Sequence, residues 1–390
     1  MPSRPADPEI PPRIPGGFAQ ILKTTLQGST RIVRDMHGAI SGHAFGALSR
    51  VPLIGAPARL VAGAHDAIAN GVYTAIHQVG GGALDLAGVL EQRLASKAPA
   101  LLPVGIRSAL NGAFGDHLDA SNSALAIPMR LISADQPLKL DRESLAQAFP
   151  HATPRICVFV HGLGCSDRSW QTHESDQVDF AAELARAFGY TSLYLRYNSG
   201  LPIASNGVTL SAMLGELVNA WPARPVELLL IGHSMGGLLA RSALEQAGAN
   251  SRWARATHML ICLGSPNTGA PLARHGQQLQ RALDAFSVTA PLGRLGAARS
   301  RGVKDLHDGL SASSASTWPH IAQRFVGAHL GAEPDGVLAS LFGDGLVPLS
   351  SATTLDGYTP TTSTVLPDVG HLGLLNDPRA WTQIRTWLSE

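Results

Sequence analysis

A serine within a glycine-rich turn constrains this chain more than any other feature. The turn runs from Gly232 to Gly237 with the sequence GHSMGG, between an apolar run at 226–231 and a helix-like segment at 236–246. In a strand–turn–helix of the form G-x-S-x-G, only small residues fit two positions on either side of the serine, whose hydroxyl is held exposed at the end of the strand. We therefore predict that Ser234 is a nucleophile. A chance match among 41 glycines is the alternative, and the flanking patterns argue against it.

Short apolar segments alternate with helical ones in the C-terminal part of the chain. The strand-like segments lie at 156–160, 192–197, 226–231, 258–263, 324–328 and 362–366. The helical segments lie at 178–188, 208–221, 236–246 and 378–388. Such alternation predicts an α/β fold, with a mostly parallel sheet that carries helices on both faces.

A second glycine-containing turn, with the sequence HGLG, follows the first of these strands. A hydrolase with an elbow serine needs two backbone N–H groups to stabilise an oxyanion, one after the serine and one from the loop after an earlier strand. We assign these donors to Met235 and Leu163. We also predict four substrate-binding residues at this edge of the sheet: His161, Gly162, Arg196 and Tyr197. The alternative for the last two is a structural pairing with the insertion described below.

The base and the acid that such a serine needs can be sought by chain order. A serine hydroxyl is activated by a base that is itself oriented by a carboxylate, and in this architecture the order is serine, acid, histidine. His371 is the last histidine and lies in a glycine-flanked loop, so we predict that it is the base. Asp344, between two glycines, is the leading candidate for the acid, and Asp335 and Asp368 are its competitors.

Taken together, the motifs resemble those of α/β-hydrolases of the lipase and esterase type over residues 155–388. The likeness is to bacterial esterases and lipases related to the GPI inositol-deacylase group. The similar segments are HGLG, RYNSG, SNG, GHSMGG, LGSPNTGAPL, RSRGVKDL, GDGLVP and GHLGLL. The resemblance implies an α/β-hydrolase fold, ester hydrolysis and Asp344 as the third member of the triad. At Asn267 this chain departs from the family's PHxGAPL segment, because the family has a histidine there.

The N-terminal part of the chain differs in composition and in hydrophobic pattern. Residues 1–17 are rich in proline, and the weakly helical pattern that follows contains few charges. We therefore predict a disordered arm at 1–17, a helical region at 18–150, and an α/β-hydrolase domain at 151–390 with a lid-like insertion at about 269–320. The helices at 18–97 either form a cap packed on the hydrolase domain or contact a membrane or lipid surface.

Composition argues against several other classes of protein. Lys and Arg number 30 and Asp and Glu 29, so no basic surplus is present for binding nucleic acid. Three cysteines without a CxxC pair argue against a disulfide framework or a zinc ribbon. The aspartates at 284, 305 and 308 lack the dense pattern of a calcium site, so we predict neither a metal nor a cofactor. Because a secretory signal and an apolar stretch of about 20 residues are missing, we expect a cytoplasmic protein, either free or peripheral to a membrane or lipid body.

The predicted function is that of a serine carboxylic-ester hydrolase, an esterase or lipase. It would act through a Ser-His-Asp triad and an acyl-enzyme on a small-molecule or lipid ester with an apolar acyl group. Two alternatives stay open at this point. One is an acyltransferase that uses the same triad, and the other is a lipid-surface binding protein with an idle hydrolase domain.

Overall fold

An eight-stranded sheet organises the protein in a computed structural model, which describes residues 104–172, 174–268, 300–308, 318–330, 343–354 and 362–390. The strands are β1 (Arg130–Ser133), β2 (Gln136–Pro137), β3 (Arg155–Val160), β4 (Thr191–Arg196), β5 (Glu227–His233), β6 (Thr257–Leu263), β7 (Ala322–His329) and β8 (Ser363–Pro367). Their order across the sheet is β2-β1-β4-β3-β5-β6-β7-β8. The strands from β3 to β8 pair in parallel, and β1 pairs antiparallel with both β2 and β4. The mostly parallel sheet that the sequence predicts is confirmed.

Nine α-helices accompany the sheet within the described residues. They are α1 (Val104–Ala120), α2 (Arg142–Ala148), α3 (Phe180–Phe188), α4 (Ile203–Ala220), α5 (Met235–Glu245), α6 (Arg252–Ala256), α7 (Arg301–Asp308), α8 (Leu349–Thr353) and α9 (Pro378–Leu388). Two 3₁₀ turns, at Asp167–Trp170 and His371–Leu375, follow β3 and β8. None of these helices has the length and hydropathy needed to span a bilayer.

Alternate side chains of the central strands face two separate apolar cores. On β3, Ile156 and Val158 point to one face of the sheet, whereas Cys157 and Phe159 point to the other. The first core is closed by apolar side chains of α4 and α5, and the second by those of α3 and α9. Because both faces are buried, the central strands are apolar at nearly every position, and this continuity made them recognisable in the sequence.

Most predicted elements agree with the observed ones to within two residues at each end. Helix α4 differs, because it begins at Ile203 rather than at residue 208. The carboxylate of Asp305 accepts a hydrogen bond from Ile203 N–H at 2.8 Å, so a remote residue satisfies the free amide at the helix start. A local pattern cannot reveal a cap of this kind.

The sheet also begins earlier than expected. Strand β1 starts at Arg130, before residue 151, where we placed the start of the hydrolase domain. It was missed because it has only four residues and β2 only two, too few to show a period. Helix α1 lies inside the region at 18–150 that was predicted to be helical, and the helices predicted at 18–97 lie outside the described residues. Most of the predicted insertion at 269–320 also lies outside them.

Backbone contacts divide the described residues into two compact units. Residues 118–126 belong to the first, where Ser123 N–H donates to Leu118 O at 2.9 Å and closes the turn after the helix. All other described residues belong to the second unit, which contains the whole sheet and every predicted site residue.

Candidate active site

Ser234 occupies a strained turn at the carboxyl end of β5. Its φ and ψ angles are 53° and −125°, a backbone conformation that residues other than glycine rarely adopt. Its N–H donates to Leu263 O at 2.8 Å, and helix α5 starts at the next residue. A Cβ at Gly236 would overlap the carbonyl of Val160, so only glycine fits there. The strand–turn–helix geometry expected from the motif is thus present.

Asp344 and His371 form a buried hydrogen-bonded pair. His371 Nδ1 lies 2.7 Å from Asp344 Oδ2, and the side chains are 6% and 0% exposed. The His371 backbone N–H also donates to Asp344 O at 3.0 Å, so main chain and side chain join the same two residues. A carboxylate oxygen accepts, so the hydrogen lies on Nδ1 and His371 Nε2 is left as an acceptor.

The second carboxylate oxygen of Asp344 is held by the backbone. Oδ1 accepts hydrogen bonds from Leu346 N–H at 3.0 Å and from Val347 N–H at 2.8 Å. These bonds fix the plane of the carboxyl group and aim Oδ2 at His371. Of the two competing acids, Asp368 is solvent-exposed and Asp335 lies outside the described residues.

Ser234 and the Asp344–His371 pair meet around the end of β6. Leu263 accepts the Ser234 N–H, and a Cβ on the next residue, Gly264, would lie 3.1 Å from Asp344 Oδ2 and 3.2 Å from His371 Nδ1. Within the described part of the chain, no hydrogen bond joins Ser234 Oγ to His371 Nε2. Contacts of this kind are often long in the absence of substrate and tighten when it binds.

His233 is a site residue that the sequence analysis missed. Its Nε2–H donates to His371 O at 3.0 Å, and the two ring centroids are 4.6 Å apart. Burial holds the pKa of His233 well below its usual range, so the ring is neutral. Strand alternation places His233 on the same face as Leu229 and Ile231, which pack in the core with Leu374 of the His371 turn. That alternation was the available signal for a contact with His371.

The two predicted oxyanion donors lie beside the serine. A Cβ on Gly162 would be 3.0 Å from Ser234 Cβ, so the HGLG loop runs directly along the elbow. Leu163 packs against a buried apolar cluster that includes Met235. Among the described residues, nothing accepts the Leu163 N–H. Met235 is the first residue of α5, so its N–H has no partner within that helix.

Comparison with known protein families gives one match. Residues 152–294 match a family described as the PGAP1-like alpha/beta domain. The description agrees with the observed parallel sheet and its helices. A comparison with curated proteins finds no match.

Several solved structures are similar to this chain. Mature lipase BlEst2 from Bacillus licheniformis is 20% identical, with a TM-score of 0.41, and the match covers 61% of this chain and 92% of that one. An esterase from Thermogutta terrifontis is 14% identical, with a TM-score of 0.38 and coverage of 61% and 90%. The phospholipase PlaB from Legionella pneumophila is 16% identical, with a TM-score of 0.38 and coverage of 57% and 54%.

His161, the first residue of the HGLG loop, and Tyr197 are both buried. Their rings stack with centroids 4.4 Å apart, and Tyr197 OH donates to His161 O at 2.9 Å. Burial lowers the pKa of His161 to about 4, so the ring is neutral near pH 7. These contacts support the loop from inside. The contact with substrate that we predicted for both residues stays a prediction.

Arg196 forms a two-pronged ion pair with Asp167. Its Nε lies 2.6 Å from Oδ1 and its second guanidinium nitrogen 2.8 Å from Oδ2, while Asp167 is almost fully buried. Arg196 therefore has a structural partner, which was the alternative to a contact with substrate. That partner lies in the 3₁₀ turn after the HGLG loop and not in the insertion. The hydrogen bonds that Arg196 donates to Asp167 raise the pKa of the guanidinium.

Replacing Arg196 with methionine should destabilise the fold. The change leaves the buried Asp167 without its partner, which should cost about 3 kcal/mol in the free energy of unfolding measured with urea. Arg168→Met is the matched control, because Arg168 and its partner Asp135 are both about half exposed and should contribute at most about 1 kcal/mol. Unchanged stability in Arg196→Met together with a raised KM would instead favour the predicted contact with substrate.

The structure also describes the surroundings of Asn267, of the three cysteines and of possible metal-ligating residues. At the position where the similar family has histidine, Asn267 accepts a hydrogen bond from Arg241 and donates to Ala352 O at 3.2 Å, so it ties α5 to α8. All three cysteines are buried, and burial raises the pKa of Cys165 to about 11, which keeps the thiol protonated. No group of three potential metal-ligating residues occurs in the described ranges.

Proposed function

We propose that the protein is a serine carboxylic-ester hydrolase whose catalytic triad is Ser234, His371 and Asp344. The observation that carries the proposal is the buried 2.7 Å hydrogen bond between Asp344 Oδ2 and His371 Nδ1, formed next to a serine in a strained elbow. Chain order, burial and the orientation of the carboxylate all support the same assignment. An Asp-His pair fixed in this way gives a histidine that accepts a proton at Nε2 and is stabilised once it carries it.

The proposed reaction has two stages. Ser234 Oγ attacks the ester carbonyl as His371 Nε2 accepts its proton, and the tetrahedral intermediate collapses when His371 returns that proton to the leaving alcohol. Water then attacks the acyl-enzyme as His371 Nε2 accepts its proton. The bond from the acyl carbon to Ser234 Oγ breaks, His371 returns the proton to that oxygen, and the free acid is released. Asp344 stays ionised throughout and stabilises the imidazolium that forms in each stage.

We assign the stabilisation of the oxyanion in both intermediates to the N–H groups of Leu163 and Met235. Two observations support this assignment: the close approach of Gly162 to Ser234, and the missing acceptor for the Leu163 N–H among the described residues. Two preorganised donors of this kind contribute much of the rate, because removing one typically costs about 10²–10³ in kcat.

An apolar acyl group is the proposed substrate feature. Next to the two donors, Leu163 packs on a buried cluster made entirely of apolar side chains: Ile203, Met235, Leu238 and Leu306. An acyl chain that leaves the oxyanion site on this side would meet hydrocarbon, whereas a charged one would lose hydration without a partner.

A series of p-nitrophenyl esters, from acetate to palmitate, tests the proposal. We expect release of p-nitrophenol and of the free acid, with kcat/KM rising as the acyl chain lengthens beyond acetate. An added acceptor alcohol should produce little acylated alcohol; its dominance would identify an acyltransferase. Failure of the purified protein to cleave any ester in the series, with or without an oil–water interface, would contradict the proposal and favour an idle hydrolase domain.

A further inference from the structure

We propose that helix α1, which precedes all the hydrolase motifs in the sequence, positions the oxyanion loop. The inference rests on the proposed function. It assigns to residues 112–116 of this helix a part in placing the loop, although no hydrogen bond joins them to the triad. Its basis is a set of close contacts that join α1 to the HGLG loop through two further segments.

The first contact is between two glycines. A Cβ added to Gly112 of α1 would lie 2.8 Å from Gly164 Cα and 2.9 Å from Gly164 N, closer than such atoms can approach. Gly164 has a positive φ of 69° and directly follows Leu163, the proposed oxyanion donor. The helix backbone thus lies directly against the loop, and any thickening of α1 at this point must move it.

The second contact runs through the loop after β4. The Gly164 N–H donates to Ser199 Oγ at 2.9 Å, so the HGLG loop is held at the same glycine that α1 touches. Next to Ser199, Asn198 Nδ2 donates to Gly115 O of α1 at 2.9 Å. The loop after β4 is therefore fixed between the helix and the oxyanion loop.

The third contact comes from helix α7 and the residue before it. Ser300 Oγ donates to Gly112 O at 2.7 Å, and Arg301 N–H donates to Asp116 Oδ2 at 3.1 Å. Gly302 N–H donates to Gly200 O at 3.1 Å, which closes the ring of contacts. Helix α1 and the loop after β4 thus both contact the HGLG loop at Gly164, and α7 is hydrogen-bonded to each of the two.

A small displacement of this loop should have a large effect on rate. To accept a methyl group at Gly112, Gly164 would have to move by a few tenths of an ångström or more, and the adjacent Leu163 N–H would move with it. Misplacement of a catalytic group by 1 Å can cost about 10²-fold in rate. The oxyanion exists only in the intermediates and their transition states, so the loss should fall on kcat rather than on KM.

Gly112→Ala is the direct test, with Gly105→Ala as the matched control. Both glycines lie in α1, but a Cβ at Gly105 would meet nothing within 4 Å. On a p-nitrophenyl ester, we expect Gly112→Ala to lower kcat by about 10- to 100-fold with KM nearly unchanged. The Ki of a trifluoromethyl ketone, whose adduct with the serine carries an oxyanion, should rise by a similar factor. Gly105→Ala should behave like the wild type in both assays.

Alanine favours helix over glycine, so neither variant should lose α1 through backbone propensity. If Gly112→Ala does not fold, Ser199→Ala decides, because it removes the acceptor of the Gly164 N–H without adding an atom. We expect a smaller loss of kcat there, about 3- to 10-fold, with the same rise in the ketone Ki. Wild-type kcat and Ki in a folded Gly112→Ala, or in Ser199→Ala, would overturn the proposal. Lack of esterase activity in the wild type would instead refute the proposed function.

Discussion

Replacing Ser234 with alanine should reduce kcat on a p-nitrophenyl ester by about 10⁴–10⁶-fold, because the acyl-enzyme can no longer form. The residual rate would come from water attacking a carbonyl that is still held in the oxyanion site. The measurement is the initial rate of p-nitrophenol release by variant and wild type at equal concentration of folded protein.

Ser205→Ala is a suitable control for the loss of one hydroxyl, since Ser205 is exposed on helix α4. It should retain the wild-type rate. The Ser234→Ala variant should also unfold at a similar temperature to the wild type, because the hydroxyl makes no cap hydrogen bond to helix α5. A Ser234→Ala protein with near wild-type turnover would show that another group is the nucleophile.

Replacing Asp344 with asparagine should lower kcat by about 10⁴-fold, because it favours the wrong tautomer of His371. Two backbone N–H groups, of Leu346 and Val347, bind Oδ1 of Asp344, so the amide oxygen of asparagine should stay at that position. The amide NH₂ would then face His371 Nδ1 and require it to accept. The hydrogen of the ring would move to Nε2, where the proton of Ser234 must arrive.

Asp368→Asn is the matched control for Asp344→Asn. Asp368 was a competing candidate for the acid, and it is exposed with a positive φ of 57°, a conformation that asparagine tolerates well. Its replacement should leave kcat unchanged. The assignment of the acid would be wrong if Asp368→Asn, rather than Asp344→Asn, abolished turnover.

The sequence was most informative where the chemistry depends on local structure. The elbow around Ser234 is specified by glycine spacing between a strand and a helix, so its geometry could be predicted from six residues. Chain order predicted His371 and Asp344 as base and acid, and in the structure these two residues form a hydrogen-bonded pair. Burial on both faces made the central strands continuous apolar runs, and these were placed to within two residues.

The sequence was least informative for contacts between loops. The pairing of Arg196 with Asp167 and the cap that Asp305 gives to α4 each join segments far apart in the chain, and neither leaves a periodic pattern. The contact of Gly112 with Gly164 depends on the absence of a side chain at Gly112, and a single sequence cannot show that this absence is required. Helix α1 was therefore grouped with the helical region at 18–150, although its residues 104–117 belong to the unit that contains the sheet. The lipid-surface contact predicted for 18–97 lies outside the described residues.

Reaction with a fluorophosphonate followed by peptide mapping tests most directly whether Ser234 is an activated nucleophile. We expect one phosphonyl group per chain, bound to Ser234, with no labelling of Ser234→Ala and much slower labelling of Asp344→Asn. Labelling at a different residue, or a folded wild-type protein that does not react, would contradict it.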